Sequence, residues 1–109
     1  MNFLALPWIN LGCWQDSIPR AMTPIDHLIP RKYGHYQSRF RPITRCLEAA
    51  QAAGYRWFAL QDDGYCYASK EFVYKKYGFS NACYGYRGGP MANSVYEIRA
   101  GKFPFSLRI

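Results

Sequence analysis

With 109 residues the chain has room for one domain and a thin core. Half of it is apolar and 18% is aromatic, which excludes a disordered polymer, and no run approaches the roughly 20 apolar residues of a membrane span. The formal charge of +7, from 14 Lys and Arg against 7 Asp and Glu, favours acidic partners such as sulfated glycan, nucleic acid or anionic membrane, or else serves solubility alone.

Met1 to Trp8 is apolar but short. It has no basic n-region and no clean cleavage site, so a complete signal peptide is not expected in this chain. Trp8 to Trp14 reads as a strand, with Ile9, Leu11 and Cys13 on one face and Trp8 and Trp14 on the other. Asp16-Ser17-Ile18-Pro19 ends it as a turn. Residues 20–40 show no period, and Pro24, Pro30, Gly34 and scattered charges predict a long loop, of a length that is often functional. The most basic stretch, Arg31 to Arg45, carries Arg31, Lys32, Arg39, Arg41 and Arg45 with His35 among them and no acid.

Pro42 to Ala53 reads as the main helix. Proline suits a first helical turn, where its missing N–H costs nothing. Ile43, Cys46, Leu47, Ala50 and Ala53 form one apolar stripe, and Gly54 supplies the left-handed residue that ends a helix. Tyr55 to Gln61 is a strand in which Phe58 and Leu60 alternate against Trp57, Ala59 and Gln61. Asp62-Asp63-Gly64 signals a tight hairpin, and Tyr65 to Ser69 is the returning strand. Lys70 to Gly78 fits a short helix or an irregular ordered loop. Asn81 to Pro90 is turn-rich, Ser94 to Ile98 is a last strand, and Arg99 to Ile109 is a basic, apolar extension suited to docking on a neighbour or on the domain.

Cys13, Cys46, Cys66 and Cys83 contain no CxxC knuckle, which argues against a zinc site. An even count in a short, aromatic, loop-rich chain fits two disulfides formed in an oxidising compartment. Spacing leaves all three connectivities open. No cofactor motif is present, and no catalytic set either. The two histidines, His27 and His35, lie in the irregular loop, a Cys–His nucleophile needs a free cysteine, and Asp62-Asp63-Gly64 is a turn rather than a pair of placed carboxylates. A non-catalytic binder is therefore expected.

In order along the chain come Gly12-Cys13-Trp14-Gln15-Asp16, Arg20-Ala21-Met22, Cys46-Leu47-Glu48-Ala49-Ala50, Gly54-Tyr55-Arg56-Trp57-Phe58-Ala59-Leu60-Gln61, Gly64-Tyr65-Cys66-Tyr67-Ala68, Gly88-Gly89 and Val95-Tyr96-Glu97-Ile98. Together, over residues 9–98, they resemble a WSC domain, related to the PAN/apple folds, in a reduced four-cysteine version like the modules of invertebrate extracellular mosaic proteins. The resemblance implies an α+β fold in which a small antiparallel sheet packs on the main helix, followed by the extension at 99–109. It also implies pairing of Cys13 with Cys83 and of Cys46 with Cys66. Ala50 and Ala68 stand where the family has a further bridge, and Arg87-Gly88-Gly89 stands where it has Cys-Gly-Gly. Loop closure would make the Cys46–Cys66 bridge worth about 3 kcal/mol and the longer Cys13–Cys83 loop about 4 kcal/mol.

The resemblance further implies an extracellular module that binds carbohydrate or protein. The family has no shared ligand residues that map onto this chain; charge and aromaticity supply the candidates instead, the basic run Arg31, Lys32, Arg39, Arg41 and Arg45, which suits sulfate and carboxylate, and the indoles of Trp14 and Trp57, which could stack on sugar if they are not buried. Coverage of both sheet faces would bury them. An acidic glycan or matrix is the expected partner. Nucleic acid is not, given disulfides. The alternative is a structural subunit of an extracellular assembly, making protein contacts through aromatic surface and the 99–109 tail.

Overall fold

A computed structural model describes residues 6–99. Five strands, β1 (Trp8–Gln15), β2 (Thr23–Pro24), β3 (Trp57–Gln61), β4 (Tyr65–Ser69) and β5 (Ala92–Ile98), form one antiparallel sheet in the order β1-β5-β3-β4-β2. One α-helix, α1 (Pro42–Ala52), lies against β3 and β4. Disulfides join Cys13 to Cys83 and Cys46 to Cys66, leaving no free cysteine. The fold is thus the expected small α+β unit with two bridges. No helix among the described residues is long and apolar enough to cross a membrane.

The helix begins on Pro42 after Arg41, which adopts the left-handed conformation (φ 57°) and offers no side-chain cap. It ends in a Schellman motif. Tyr55 N–H donates to the Ala50 carbonyl (2.9 Å) and Gly54 N–H to that of Gln51 (3.1 Å). Gly54 has φ +84°, a conformation that glycine alone adopts freely. Cys46, Leu47 and Ala50 face the sheet, but Ala53 does not: the helix has ended, and it is exposed. The β3–β4 hairpin turns through Asp62, Asp63 and Gly64, all at positive φ, so the Asp-Asp-Gly signal marks the turn as read.

Alternation along the central strands gives the sheet two covered faces. Toward the helix point Phe58, Leu60, Cys66, Ala68 and Tyr96, which pack with Ile25 and Ile29 and with the inner side of α1. Phe58 and Tyr96 stack at 5.0 Å, and burial at this level is worth roughly 1.5–3 kcal/mol for each large apolar side chain. Ala50 and Ala68 are both fully buried here, their methyl groups packed in the core between helix and sheet. On the other face Trp57, Ala59, Tyr67 and Val95 pack against Ala21, Met22 and Tyr74.

Several expectations are corrected. In β1 a bulge between Asn10 and Gly12 inserts Leu11 as an unpaired residue and reverses the alternation. Trp8 therefore packs on the helix side, edge-on to Tyr96, and Trp14 on the opposite side. Strand β3 starts at Trp57 rather than Tyr55, and β5 runs from Ala92 rather than Ser94. The 20–40 segment is not an open loop. It buries Ala21, Met22, Ile25 and Ile29, adds edge strand β2, and then makes three single 3₁₀ turns at Asp26–Leu28, Arg31–Tyr33 and Tyr36–Ser38. Lys70 to Gly78 takes the irregular ordered form, with Tyr74 buried on the face opposite α1.

Two glycines are fixed by close backbone approach. A Cβ on Gly88 would lie 2.1 Å from the Leu60 carbonyl oxygen, and one on Gly89 would lie 1.9 Å from that of Ala82. No side chain fits either place, which is the physical content of the Gly-Gly pair.

Candidate functional site

The basic run divides into arginines that build the loop and cations that it presents. Arg39 is buried, and its guanidinium meets Asp26 in a fork, Nη1 to Oδ1 at 2.9 Å and Nη2 to Oδ2 at 3.0 Å. Asp26 Oδ1 also accepts from Cys66 N–H (3.0 Å), so one carboxylate ties the loop to β4. Arg39 is therefore a structural residue and not an open ligand contact. Its partner lies upstream of the acid-free run, out of view of a local charge count. Arg45 is engaged as well, 3.8 Å above the Tyr33 ring and 3.0 Å from Glu48.

Arg31, Lys32 and Arg41 remain exposed. Lys32 lies over Tyr33 and Arg41 over Phe40, each cation resting on a neighbouring ring and paired with no carboxylate among the described residues. Between the turns opens a groove of about 560 Å³, lined by His27, Arg31, Gly34, His35 and Tyr36, with the Asp26–Arg39 pair at its base. His35 stacks on Tyr36 at 4.6 Å, and its Nδ1 accepts from Gln37 N–H, which leaves Nε2 as the proton-bearing nitrogen.

The groove is held in place from the hairpin side. Arg87 donates from Nε to Asp63 (2.7 Å) and from Nη2 to the Gln37 carbonyl (3.0 Å). Gln37 donates back to the Asp62 carbonyl (3.2 Å), and Tyr36 O–H donates to Asp62 Oδ2 (2.5 Å). The Asp62 carboxylate raises the Tyr36 phenol to about 12, because ionisation would break that bond and set two negative charges side by side.

The indoles are not free platforms. Trp57 is buried among Ala59, Tyr67 and Val95, with Phe72 at 5.9 Å, so the sugar-stacking expectation for it is corrected: the face taken as outward carries a second core. Trp14 is half-buried. Its Nε1–H donates to the Leu11 carbonyl, and Tyr74 and Phe79 meet its ring edge-on. Cys13, Cys83, Cys46 and Cys66 are joined as the resemblance implied. The tail beyond Arg99, and the assembly contacts expected of it, lie outside the described residues.

Among the described residues no group of three or more His, Cys, Asp and Glu side chains is placed to hold a metal ion. The groove offers the Arg31 guanidinium and the imidazoles of His27 and His35 as donors for an anion, the Tyr36 O–H being spent on Asp62. Sequence reading missed the part played by Tyr36, His27 and His35. The available signal was an aromatic and imidazole series interleaved with the basic run. No protein-family model matches the chain, and no curated protein matches it.

Proposed function

We propose that this is a non-catalytic binding module of an extracellular protein, WSC-like in character, that holds an acidic glycan in the cationic groove of the 26–41 loop. The observation that carries this reading is the division of labour within the basic run. Arg39 and Arg45 are spent on internal partners and stiffen the loop, Arg31 lines the groove, and Lys32 and Arg41 are exposed on the same loop outside its lining. Five of the chain's seven carboxylates are paired with arginine. The outward field is therefore positive, and sulfate or carboxylate groups match it through charge-assisted hydrogen bonds. Two disulfides fit an oxidising compartment and support the extracellular assignment.

The test is retention on a dextran-sulfate column. The wild type binds at low ionic strength and elutes as salt rises, because exposed charges are screened within about 10 Å at 0.1 M. Arg31→Gln/Lys32→Gln/Arg41→Gln elutes at clearly lower salt with an unchanged melting temperature. A triple variant that elutes with the wild type sinks the proposal.

A further inference from the structure

On the far side of Tyr36 lies a second cleft, of about 520 Å³, lined by Arg20, Tyr36, Asp62, Tyr65 and Tyr67 among others. Tyr36 belongs to both depressions, so the groove and the cleft meet at its ring. The floor is a buried polar network. Gln61, 4% exposed, donates from Nε2 to Asp16 (2.7 Å) and to Asn93 Oδ1 (2.9 Å), and accepts on Oε1 from Arg20 Nη1 (3.3 Å). Asp16, 1% exposed, takes Ala21 N–H and Ser17 N–H as well. These bonds hold the Arg20 head in place, and the buried Asn93 Nδ2 beside them has no partner among the described residues.

Arg20 spends one nitrogen on this network. Its contacts with Asp16, Gln61 and Met91 all come from Nη1, and Nε and Nη2 donate to nothing among the described residues. The side chain is one-third exposed and lies 5.9 Å from the Tyr67 ring centroid. Across the cleft Asp62 uses Oδ2 for Tyr36 and Gln37, and Oδ1 accepts nothing among the described residues. Between this donor and this acceptor stand three tyrosine rings, Tyr36 edge-on to Tyr65 at 5.1 Å and Tyr65 tilted against Tyr67 at 5.3 Å.

We propose that this cleft is a subsite for one neutral pyranose ring of the glycan whose acidic groups occupy the neighbouring groove. A sugar hydroxyl both donates and accepts, so a vicinal pair matches one free guanidinium edge and one free carboxylate oxygen, and tyrosine rings match the C–H face. Charge selects the class. The cleft wall holds one cation, Arg20, and one carboxylate, Asp62, and the buried Asp16 beneath already pairs with Arg20, so the wall offers an anionic sugar no unpaired positive charge and sets Asp62 against it, where a neutral sugar meets no such repulsion. The ligand is then a polymer in which acidic and neutral units are neighbours. This deepens the reading of the groove and rests on it.

The two are separable by probe. Saturation-transfer NMR with the methyl glycosides of glucose, galactose, mannose and N-acetylglucosamine reads the cleft, and dextran-sulfate retention reads the groove. At least one neutral glycoside receives transfer from the wild type, and methyl glucuronide gives less. Arg20→Gln and Asp62→Asn each weaken it about tenfold, the loss of one charged hydrogen bond, and Arg20→Gln, whose side chain lies outside the groove, is still retained on the column. Asparagine tolerates the left-handed backbone at position 62, so the second variant keeps the turn if the first disturbs Asp16. No transfer from any neutral glycoside, or preference for the glucuronide, overturns the subsite and leaves the groove standing. Transfer intact in both variants also overturns it. Transfer present with no column retention overturns the groove instead, together with the polymer assignment.

Discussion

Replacing Arg39 with methionine tests whether the groove is built by a buried ion pair. The substitution keeps the apolar stem and deletes the fork to Asp26, two hydrogen bonds at 2.9 and 3.0 Å, in a site where the arginine side chain is 4% exposed and the aspartate 14%. Removing one partner of a buried pair costs about 3–5 kcal/mol, chiefly because the other charge is stranded. Asp26 keeps the Cys66 N–H and some access to water, which places the cost near the lower end, at about 3 kcal/mol. With a urea slope of about 1.5 kcal/mol/M for a chain of this size, the midpoint falls by about 2 M in the disulfide-intact protein. Asp26→Asn/Arg39→Met, which removes both charges, recovers part of the loss. Dextran-sulfate retention also weakens in the single variant, although Arg39 touches no ligand, because the loop that displays Arg31 loses its anchor. A single-variant midpoint within about 0.3 M of wild type refutes the reasoning, and so does a double variant less stable than the single.

The two bridges differ in access, Cys46 and Cys66 being fully buried and Cys13 and Cys83 half-buried, so graded reduction of the native protein with alkylation and mass mapping labels Cys13 and Cys83 first. Simultaneous labelling of all four would show that the inner bridge is no better protected. The Tyr36 phenol, raised to about 12 by Asp62, gives a contribution to stability that is full below its unfolded value near 10 and is lost as pH climbs from about 10 to about 12, since the folded state holds the proton longer. Asp62→Asn lowers the Tyr36 value toward 10, read from its ring resonances; a Tyr36 titration unmoved by that change would rule out the carboxylate as the cause.

What could be read in advance was whatever local pattern controls. Proline at the first helical position, the apolar stripe through Cys46, Leu47 and Ala50, the Gly54 stop and the Asp-Asp-Gly turn all act over a few residues, and all are found. The bulge at Leu11 was legible too, had Gly12 inside a strand pattern been given weight: its φ of +95° is what an isolated glycine in a strand often signals. The site was not legible in the same way. Arg39 and Asp26 are 13 positions apart, Arg87 and Gln37 are 50 apart, and Tyr36 and Asp62 are 26 apart. Such pairs are made by topology, and no window along the chain contains them. Trp57 was misplaced for a related reason: strand alternation tells which residues share a face, but what covers that face is the distant segment around Tyr74.

The outer bridge has a consequence beyond loop closure. Strand β1 ends the sheet, and its exposed backbone would be a template for pairing with another chain. The 78–80 segment occupies part of that margin. Gln15 N–H donates to the Gly78 carbonyl (2.8 Å), Ser80 N–H donates to that of Cys13 (3.1 Å), and Trp14 and Phe79 form an isolated bridge. Cys13–Cys83 fastens this cover a few residues on. Reduction of that one bond therefore frees a guard strip as well as slackening the fold. The same event that loosens the molecule uncovers the surface through which loosened copies would aggregate, so oxidation of this bridge keeps the sheet finite.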